Sequence, residues 1–169
     1  PGPQTWKKNR LLELGFDIPS SLHFVPTNFE SEKSWWQTLI AHGFDKNKPA
    51  FIVSTGVSMY LTKEALFATL RQITQLPANS TFAMTFMLSL NLLEPNEKSI
   101  MEFVMKKAEQ AHTPFLSLFS PAEILQMANE AGFKTSTYIP ASELYQRYFA
   151  QRPDGLRAGD AEAFLIGRT

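Results

Sequence analysis

Two kinds of hydrophobic pattern alternate along the chain. Short runs of apolar and β-branched residues are typical of strands, and they lie at 22–25, 50–54, 81–88, 134–139 and 163–167. One or more stretches with apolar residues at helical spacing separate each run from the next. This alternation predicts an α/β fold, with a mainly parallel sheet and helices on both of its faces.

Capping residues predict where helices begin. Ser120-Pro121-Ala122-Glu123 combines a serine cap, a proline at the first helical position and a glutamate at the third, which is a complete capping box. The other predicted helices begin near Thr5 and at Trp35, Thr62 and Pro95, and Ser142 is predicted to cap the last helix.

Three helices are predicted to end at a glycine that is followed by phenylalanine. These pairs are Gly15-Phe16, Gly43-Phe44 and Gly132-Phe133. Glycine takes the left-handed position just past a helix, and an apolar residue after it packs on the last turn.

Length and composition exclude several classes of protein. A chain of 169 residues fits a single domain. Sixteen basic residues balance sixteen acidic ones, so we expect no nucleic-acid partner. No cysteine occurs, which excludes disulfides and thiolate sites, and no apolar run reaches the length of a membrane span. We expect no membrane association and a cytoplasmic location.

Two segments follow predicted strands with residues suited to binding a ligand. Asn28 and Phe29 follow the strand at 22–25, and Thr55 and Gly56 follow the strand at 50–54. Ligands of open α/β sheets bind beyond the carboxyl ends of the strands. An amide beside an aromatic ring can bind a planar heterocycle, and glycine allows close backbone approach. The competing interpretation is that these aromatic residues belong to the core.

Other chemistries receive little support from the sequence. His23, His42 and His112 are far apart and have no carboxylate at ligand spacing, so we predict no metal site. Ser54, Thr55 and Ser58 lack the G-x-S-x-G pattern of a hydrolase nucleophile. No catalytic residue can be named.

Six segments in order carry a family resemblance. They are PQTWKKNRLLELG, FVPTNFE, SWWQTLIAHGFDKNKPAF, GVSMYLTKEAL, PFLSLFSPAEILQMANEAGF and YFAQRPDGLR. In order and spacing the chain resembles the carboxyl-terminal two thirds of the leucine carboxyl methyltransferase family, especially its bacterial branch of S-adenosylmethionine-dependent methyltransferases. The resemblance implies a Rossmann-like class I methyltransferase sheet of seven strands, the last antiparallel, that here lacks the first two strands.

The resemblance also implies a cofactor and residues that bind it. S-adenosylmethionine is the family's cofactor, and Asn28 and Phe29 match positions at its adenine. The family's loop after the fourth strand borders the methionine end of the cofactor and the substrate, and it is matched here by Thr55, Gly56, Val57, Met59 and Tyr60.

The chain departs from the family at two of these positions. Asn28 stands where the family has an aspartate, and Thr55 stands where it has a glutamate. Each change removes a charge, and each lost contact costs on the order of 1 kcal/mol of cofactor binding.

A Gly-rich turn and an acidic residue, which bind the methionine and ribose groups in the family, precede the matched region. No G-x-G pattern occurs in the 169 residues. We therefore expect the chain to be the carboxyl-terminal part of a larger methyltransferase domain, and to be inactive by itself. Its strands at 22–25 and 50–54 would each lack a neighbour, which favours self-association through exposed sheet edges.

A loop near the carboxyl end is a candidate for binding the methyl acceptor. Tyr148, Arg152 and Arg157 lie in the segment YFAQRPDGLR, and a guanidinium can bind a carboxylate with two hydrogen bonds. Alternatively, Arg152 and Asp154 brace the loop.

Two functions remain open from the sequence. The first is methyl transfer from S-adenosylmethionine, to an oxygen of a small molecule and by analogy with the family to a carboxylate. The second is a non-catalytic methyltransferase-like module that binds a partner.

Overall fold

The computed structural model describes residues 2–29 and 35–169. The chain divides into two compact units, residues 1–46 and 47–169.

The first unit contains two helices, α1 (Gly2–Glu13) and α2 (Trp35–Ala41). Helix α1 begins three residues before the predicted start. Both helices end as predicted, because Gly15 and Gly43 have φ angles of 77° and 94°. The N–H groups of the following phenylalanines, Phe16 and Phe44, donate to carbonyls of the preceding helical turns.

The predicted strand at 22–25 is wrong. These residues form no strand. Instead, the Leu22 N–H donates a hydrogen bond of 2.9 Å to the Pro19 carbonyl in a turn. The Val25 carbonyl accepts a side-chain hydrogen bond from Gln4 at 3.1 Å instead of a ladder bond. A strand requires a neighbouring strand for its backbone groups, and none of the described strands pairs with residues 22–25.

The second unit is built on a four-stranded sheet with the order β1-β2-β4-β3. The strands are β1 (Phe51–Ser54), β2 (Thr81–Met87), β3 (Thr135–Ile139) and β4 (Glu162–Arg168). All four were predicted to within one residue at each end. The α/β class is therefore confirmed.

Strand β4 runs against the other three. It pairs antiparallel with β2 and with β3, whereas β1 pairs parallel with β2. Because β4 lies between β2 and β3, only one of the three strand pairs is parallel. The prediction of a mainly parallel sheet is therefore wrong for the way the strands pair. The antiparallel last strand agrees with the expectation from the family resemblance.

The helices of this unit are α3 (Lys63–Ile73), α4 (Pro95–Gln110), α5 (Pro121–Ala131) and α6 (Ala141–Leu144). Thr62 caps α3 by accepting from the Ala65 N–H at 3.2 Å. The predicted capping box of α5 is present, and Gly132 ends this helix with φ 107°.

The predicted cap of the last helix, Ser142, is wrong by two residues. The N–H groups of Glu143 and Leu144 both donate to the Pro140 carbonyl, so Pro140 is the cap and Ala141 is the first helical residue. Helix α6 then widens into a π-helical turn, Tyr145–Phe149, closed by a 2.9 Å bond from the Ala150 N–H to the Tyr145 carbonyl.

The main core lies on one face of the sheet. Four fully buried side chains point to this face: Phe82, Met84, Phe86 and Leu165. Helix α5 contacts β3 and β4. The residues between them on the strands, including Thr85 and Phe164, point to the opposite face, which carries the candidate site.

Candidate functional site

The loop after β1 turns sharply at Gly56. Gly56 has φ 68°, a conformation that side chains other than glycine adopt with strain. Its N–H donates to the Thr85 side-chain oxygen at 2.8 Å. This bond holds the loop against the end of β2.

The next residues fasten the loop to the rest of the unit. The buried Ser58 hydroxyl donates to the Thr85 carbonyl at 2.8 Å, and the Leu116 N–H donates to the Met59 carbonyl at 2.7 Å. Val57 lies just before the short 3-10 turn Ser58–Tyr60. Ser58 and Met59 thus have structural roles, and the loop presents Thr55 and Gly56 in a fixed position.

A cavity of about 690 Å³ opens beside Thr55 and Gly56. Its volume lies in the range of small-molecule sites, about 300–1,000 Å³. Aromatic and small residues form most of its wall, and the remaining lining residues are Thr85, Leu144, Tyr148, Phe149, Ala158, Gly159, Glu162 and Phe164. The structure thus brings together three predicted site residues, Thr55, Gly56 and Tyr148.

Two of these lining residues were missed by sequence reasoning because strand pairing positions them. Phe164 lies opposite Thr85 in the β2–β4 ladder, and Glu162 lies opposite Met87. Their place in the cavity depends on the register of two strands that are distant in sequence. Residues 163–166 form a continuous apolar run without alternation, so the sequence carries no signal for which side of β4 faces the cavity.

The π-helical turn supplies the aromatic wall opposite the sheet. Tyr148 and Phe149 both line the cavity, and Tyr148 is 67% exposed. Widened helical turns of this type are frequent at functional sites. Neither residue type nor spacing in the sequence predicts the widening.

The remaining predicted residues of this unit lie outside that cavity. The Tyr60 ring packs edge-on against Phe115, with centroids 5.4 Å apart. Arg152 donates two hydrogen bonds to the Asp154 carboxylate, at 2.5 and 3.0 Å, which agrees with the bracing interpretation. Arg157 lies 4.0 Å from Glu97 and lines a separate cavity of about 350 Å³.

The Arg152–Asp154 pair also changes an ionisation. The guanidinium of Arg152, followed by the Leu156 N–H, holds the pKa of the Asp154 carboxyl below its ordinary value. The loop is thus closed by a charged pair at the surface.

Asn28 and Phe29 lie in the first unit. The Phe29 ring is 5.5 Å from the Trp35 ring at an angle of 51°. The indole Nε1 of Trp35 is buried and has no hydrogen-bond partner among the described residues. An aromatic pair beside an unused N–H donor can accommodate a planar heterocycle.

Residues 2–29 and 35–169 contain no group of three His, Cys, Asp or Glu side chains that could hold a metal ion. Within the same ranges, no helix has the length and apolar character that crossing a membrane requires.

The model of the leucine carboxyl methyltransferase family matches residues 1–74. The resemblance to that family is confirmed. The matched part includes Asn28, Phe29 and the whole loop from Thr55 to Leu61.

A curated relative extends the similarity over nearly the whole chain. It is "Putative S-adenosyl-L-methionine-dependent methyltransferase YktD" of Bacillus subtilis (strain 168), which is 27% identical over 159 residues. The alignment covers 94% of this chain and 52% of the relative. The chain therefore spans about half the length of the relative that it matches.

Solved structures support the fold. The S-adenosylmethionine-dependent methyltransferase SibL in its apo form matches with a TM-score of 0.60 at 10% identity, covering 99% of this chain and 41% of that chain. Human N-acetylserotonin methyltransferase matches with a TM-score of 0.51 at 10% identity, covering 93% and 36%. The chain shares the class I methyltransferase fold with these proteins.

Proposed function

We propose that the chain is part of an S-adenosylmethionine-dependent methyltransferase that transfers a methyl group to an oxygen atom. The similarity to the Bacillus subtilis relative over 94% of this chain carries the proposal. The cavity beside Thr55 and Gly56 supports it, because the loop after this strand borders the methionine end of the cofactor and the substrate in the family.

Taken by itself, each unit contains residues that suit a part of such a cofactor. In the first unit, Phe29 and Trp35, with the unused indole N–H, suit the adenine ring, and Asn28 directly precedes Phe29 in the chain. The loop at Thr55 and Gly56 suits the methionine end, although the Gly56 N–H is already bonded to Thr85. When bound, S-adenosylmethionine supplies an electrophilic methyl group on a sulfonium.

The protein's contribution to such a transfer is alignment and exclusion of water. Thr55, Tyr148 and Phe164 form walls from three separate segments of the chain, so they can orient an acceptor from several sides. Val57 and Tyr60 belong to the same loop, and Tyr60 fastens it by packing against Phe115. The acceptor is a small molecule.

Titration of S-adenosylhomocysteine into the 169-residue chain by calorimetry tests this function. We expect weak, saturable, one-to-one binding, because Asn28 and Thr55 replace carboxylates. Phe29→Ala should weaken it by up to about tenfold through lost stacking. Phe16→Ala is the matched control, since Phe16 is an exposed aromatic residue of the same unit. Absence of heat up to millimolar ligand would contradict the proposal for this chain.

A second proposal is that the chain associates with itself through an edge of its sheet. Strand β1 pairs only with β2 among the described residues, and Phe51 and Val53 on it are 70% and 55% exposed. An open edge with apolar side chains favours pairing with another chain. This property is compatible with an enzyme and also with a non-catalytic binding module.

A further inference from the structure

The 690 Å³ cavity has one charged group in its described lining, and this charge bears on which methyl acceptors the cavity can bind. Among its described lining residues, Glu162 is the only charged one. The other side chains are aromatic, aliphatic or hydroxyl groups, and neither lysine nor arginine is present. A single carboxylate in an apolar wall favours ligands with a hydrogen-bond donor and disfavours anions.

Strand pairing holds Glu162 in place. Its Cα partner is Met87 in the β2–β4 ladder, and the neighbouring Ala161 carbonyl accepts from the Leu88 N–H at 2.8 Å. The side chain is half-buried and makes no hydrogen bond or ion pair with another described residue. Its oxygens are therefore available to a ligand.

The two arginines expected to bind an acceptor carboxylate are engaged elsewhere. Arg152 is paired with Asp154, and Arg157 lies nearest to Glu97 and lines a different cavity. A carboxylate placed in the 690 Å³ cavity would meet Glu162 and no cation. Like charges in a partly desolvated site repel each other.

We propose that this cavity binds a neutral aromatic acceptor whose hydroxyl group donates a hydrogen bond to Glu162. Tyr148, Phe149 and Phe164 provide rings for an aromatic body, and Glu162 positions the hydroxyl. This inference rests on the proposed methyltransferase function, and it replaces the carboxylate acceptor expected from the family resemblance. Glu162 is thus a specificity-determining residue.

A pair of matched probes tests the inference at neutral pH without cofactor. The probes are 2-naphthol and 2-naphthoate, which share an aromatic body and differ in the polar group. Their binding to the 169-residue chain is followed by NMR through the amide signals of Gly56 and Gly159, which both line the cavity. We expect naphthol to bind about tenfold more tightly than naphthoate, because the carboxylate is repelled.

Substitution of the carboxylate then tests the role of Glu162. In Glu162→Gln the preference should fall to about threefold or less, with naphthoate gaining affinity as the repulsion disappears. Glu109→Gln is the matched control, because Glu109 is an exposed glutamate of α4 that does not line this cavity. It should keep the wild-type preference.

Several outcomes would overturn the inference. They are equal or tighter binding of naphthoate by the wild-type chain, an unchanged preference in Glu162→Gln, or no shift of the Gly56 and Gly159 signals with either probe. Tighter binding of 2-naphthylmethylamine than of naphthol would overturn the assignment of a neutral acceptor.

The probes and the S-adenosylhomocysteine titration fail independently. A chain that prefers naphthol but does not bind S-adenosylhomocysteine retains the ligand preference of the cavity and loses the proposed function. A chain that binds S-adenosylhomocysteine without the preference loses only the inference about Glu162.

Discussion

Gly56 sets the path of the loop after β1, which forms one wall of the cavity. It turns the chain out of β1 with φ 68°, and it donates its N–H to Thr85. A Cβ atom at this position would meet no atom within 4 Å, so lack of space does not require glycine. The backbone conformation demands it.

Gly56→Ala should therefore destabilise the protein by about 1–2 kcal/mol, because alanine is strained in the left-handed region. The free energy of unfolding in urea measures this effect. Gly159→Ala is the control, since Gly159 also lines the cavity, has open space around it and lacks a positive φ. A smaller loss for Gly56→Ala than for Gly159→Ala would contradict the argument.

Residues of the site differ in how far the sequence could predict them. Thr55 and Gly56 directly follow an apolar run, so their place at a strand end was predictable. Glu162 and Phe164 lie on β4, which was predicted as a strand. Their neighbours in the sheet were not predicted, because the pairing partner of β4, strand β2, is far away in sequence. Pairing register arises from the folded sheet and not from local pattern.

At the scale of elements, α5 shows how a helix start couples to pH. The Ser120 backbone N–H, then the Lys63 side chain, then the Ser120 hydroxyl hold the pKa of the Glu123 carboxyl below its ordinary value of 4.5. The folded state thus binds this proton less readily than the unfolded state. The stabilisation is present above about pH 4.5, and it is lost as the pH falls through the lowered pKa.

Glu123→Gln should consequently destabilise the protein at neutral pH and have a smaller effect below about pH 4. Urea unfolding midpoints of wild type and variant at several pH values measure the difference. Glu130→Gln is the control, because Glu130 lies on the same helix and its carboxylate accepts from Gln126. A difference between Glu123→Gln and wild type that grows toward acid pH would refute the sign.

The end of α5 packs on the sheet through a close contact. A Cβ at Gly167 of β4 would lie 2.7 Å from Cδ1 of Phe133, and Phe133 stacks on Phe82 with centroids 6.0 Å apart. The missing side chain at Gly167 is what allows this ring to lie flat between helix and strand.

Gly167→Ala should cost about 1–3 kcal/mol of stability, because the added methyl overpacks the ring. The double variant Gly167→Ala with Phe133→Leu should recover part of that loss relative to Phe133→Leu alone. A double-mutant cycle on unfolding free energies measures the coupling. Strict additivity would show that the contact is not responsible.

Element boundaries were predictable where local chemistry decides them. The capping box of α5 and the glycine stops of α1, α2 and α5 depend only on adjacent residues, and all were predicted. The prediction of a strand at 22–25 was wrong, because an apolar pattern is necessary for a strand but not sufficient. A strand forms only when another strand satisfies its backbone groups.

At the scale of the whole molecule, β1 is paired on one side only among residues 2–29 and 35–169. Val53→Lys should suppress concentration-dependent association, because a charged side chain on an edge strand opposes pairing with a second chain. Light scattering over a concentration series measures the change. Val104→Lys is the control, since Val104 is also exposed but lies on α4. A wild-type chain that stays monomeric at every concentration would rule out association through this edge.

The position of β4 has a consequence for protein synthesis. Strand β3 reaches the rest of the sheet only through β4, which is the last of the four strands to leave the ribosome. Until residues 162–168 emerge, β2 has no partner on one side, and neither Glu162 nor Phe164 is present to complete the cavity. The pairing of β4 therefore forms late, and a nascent chain that is interrupted before this strand leaves one side of β2 unpaired and the β3 residues without a partner strand, exposed to chaperones and proteases.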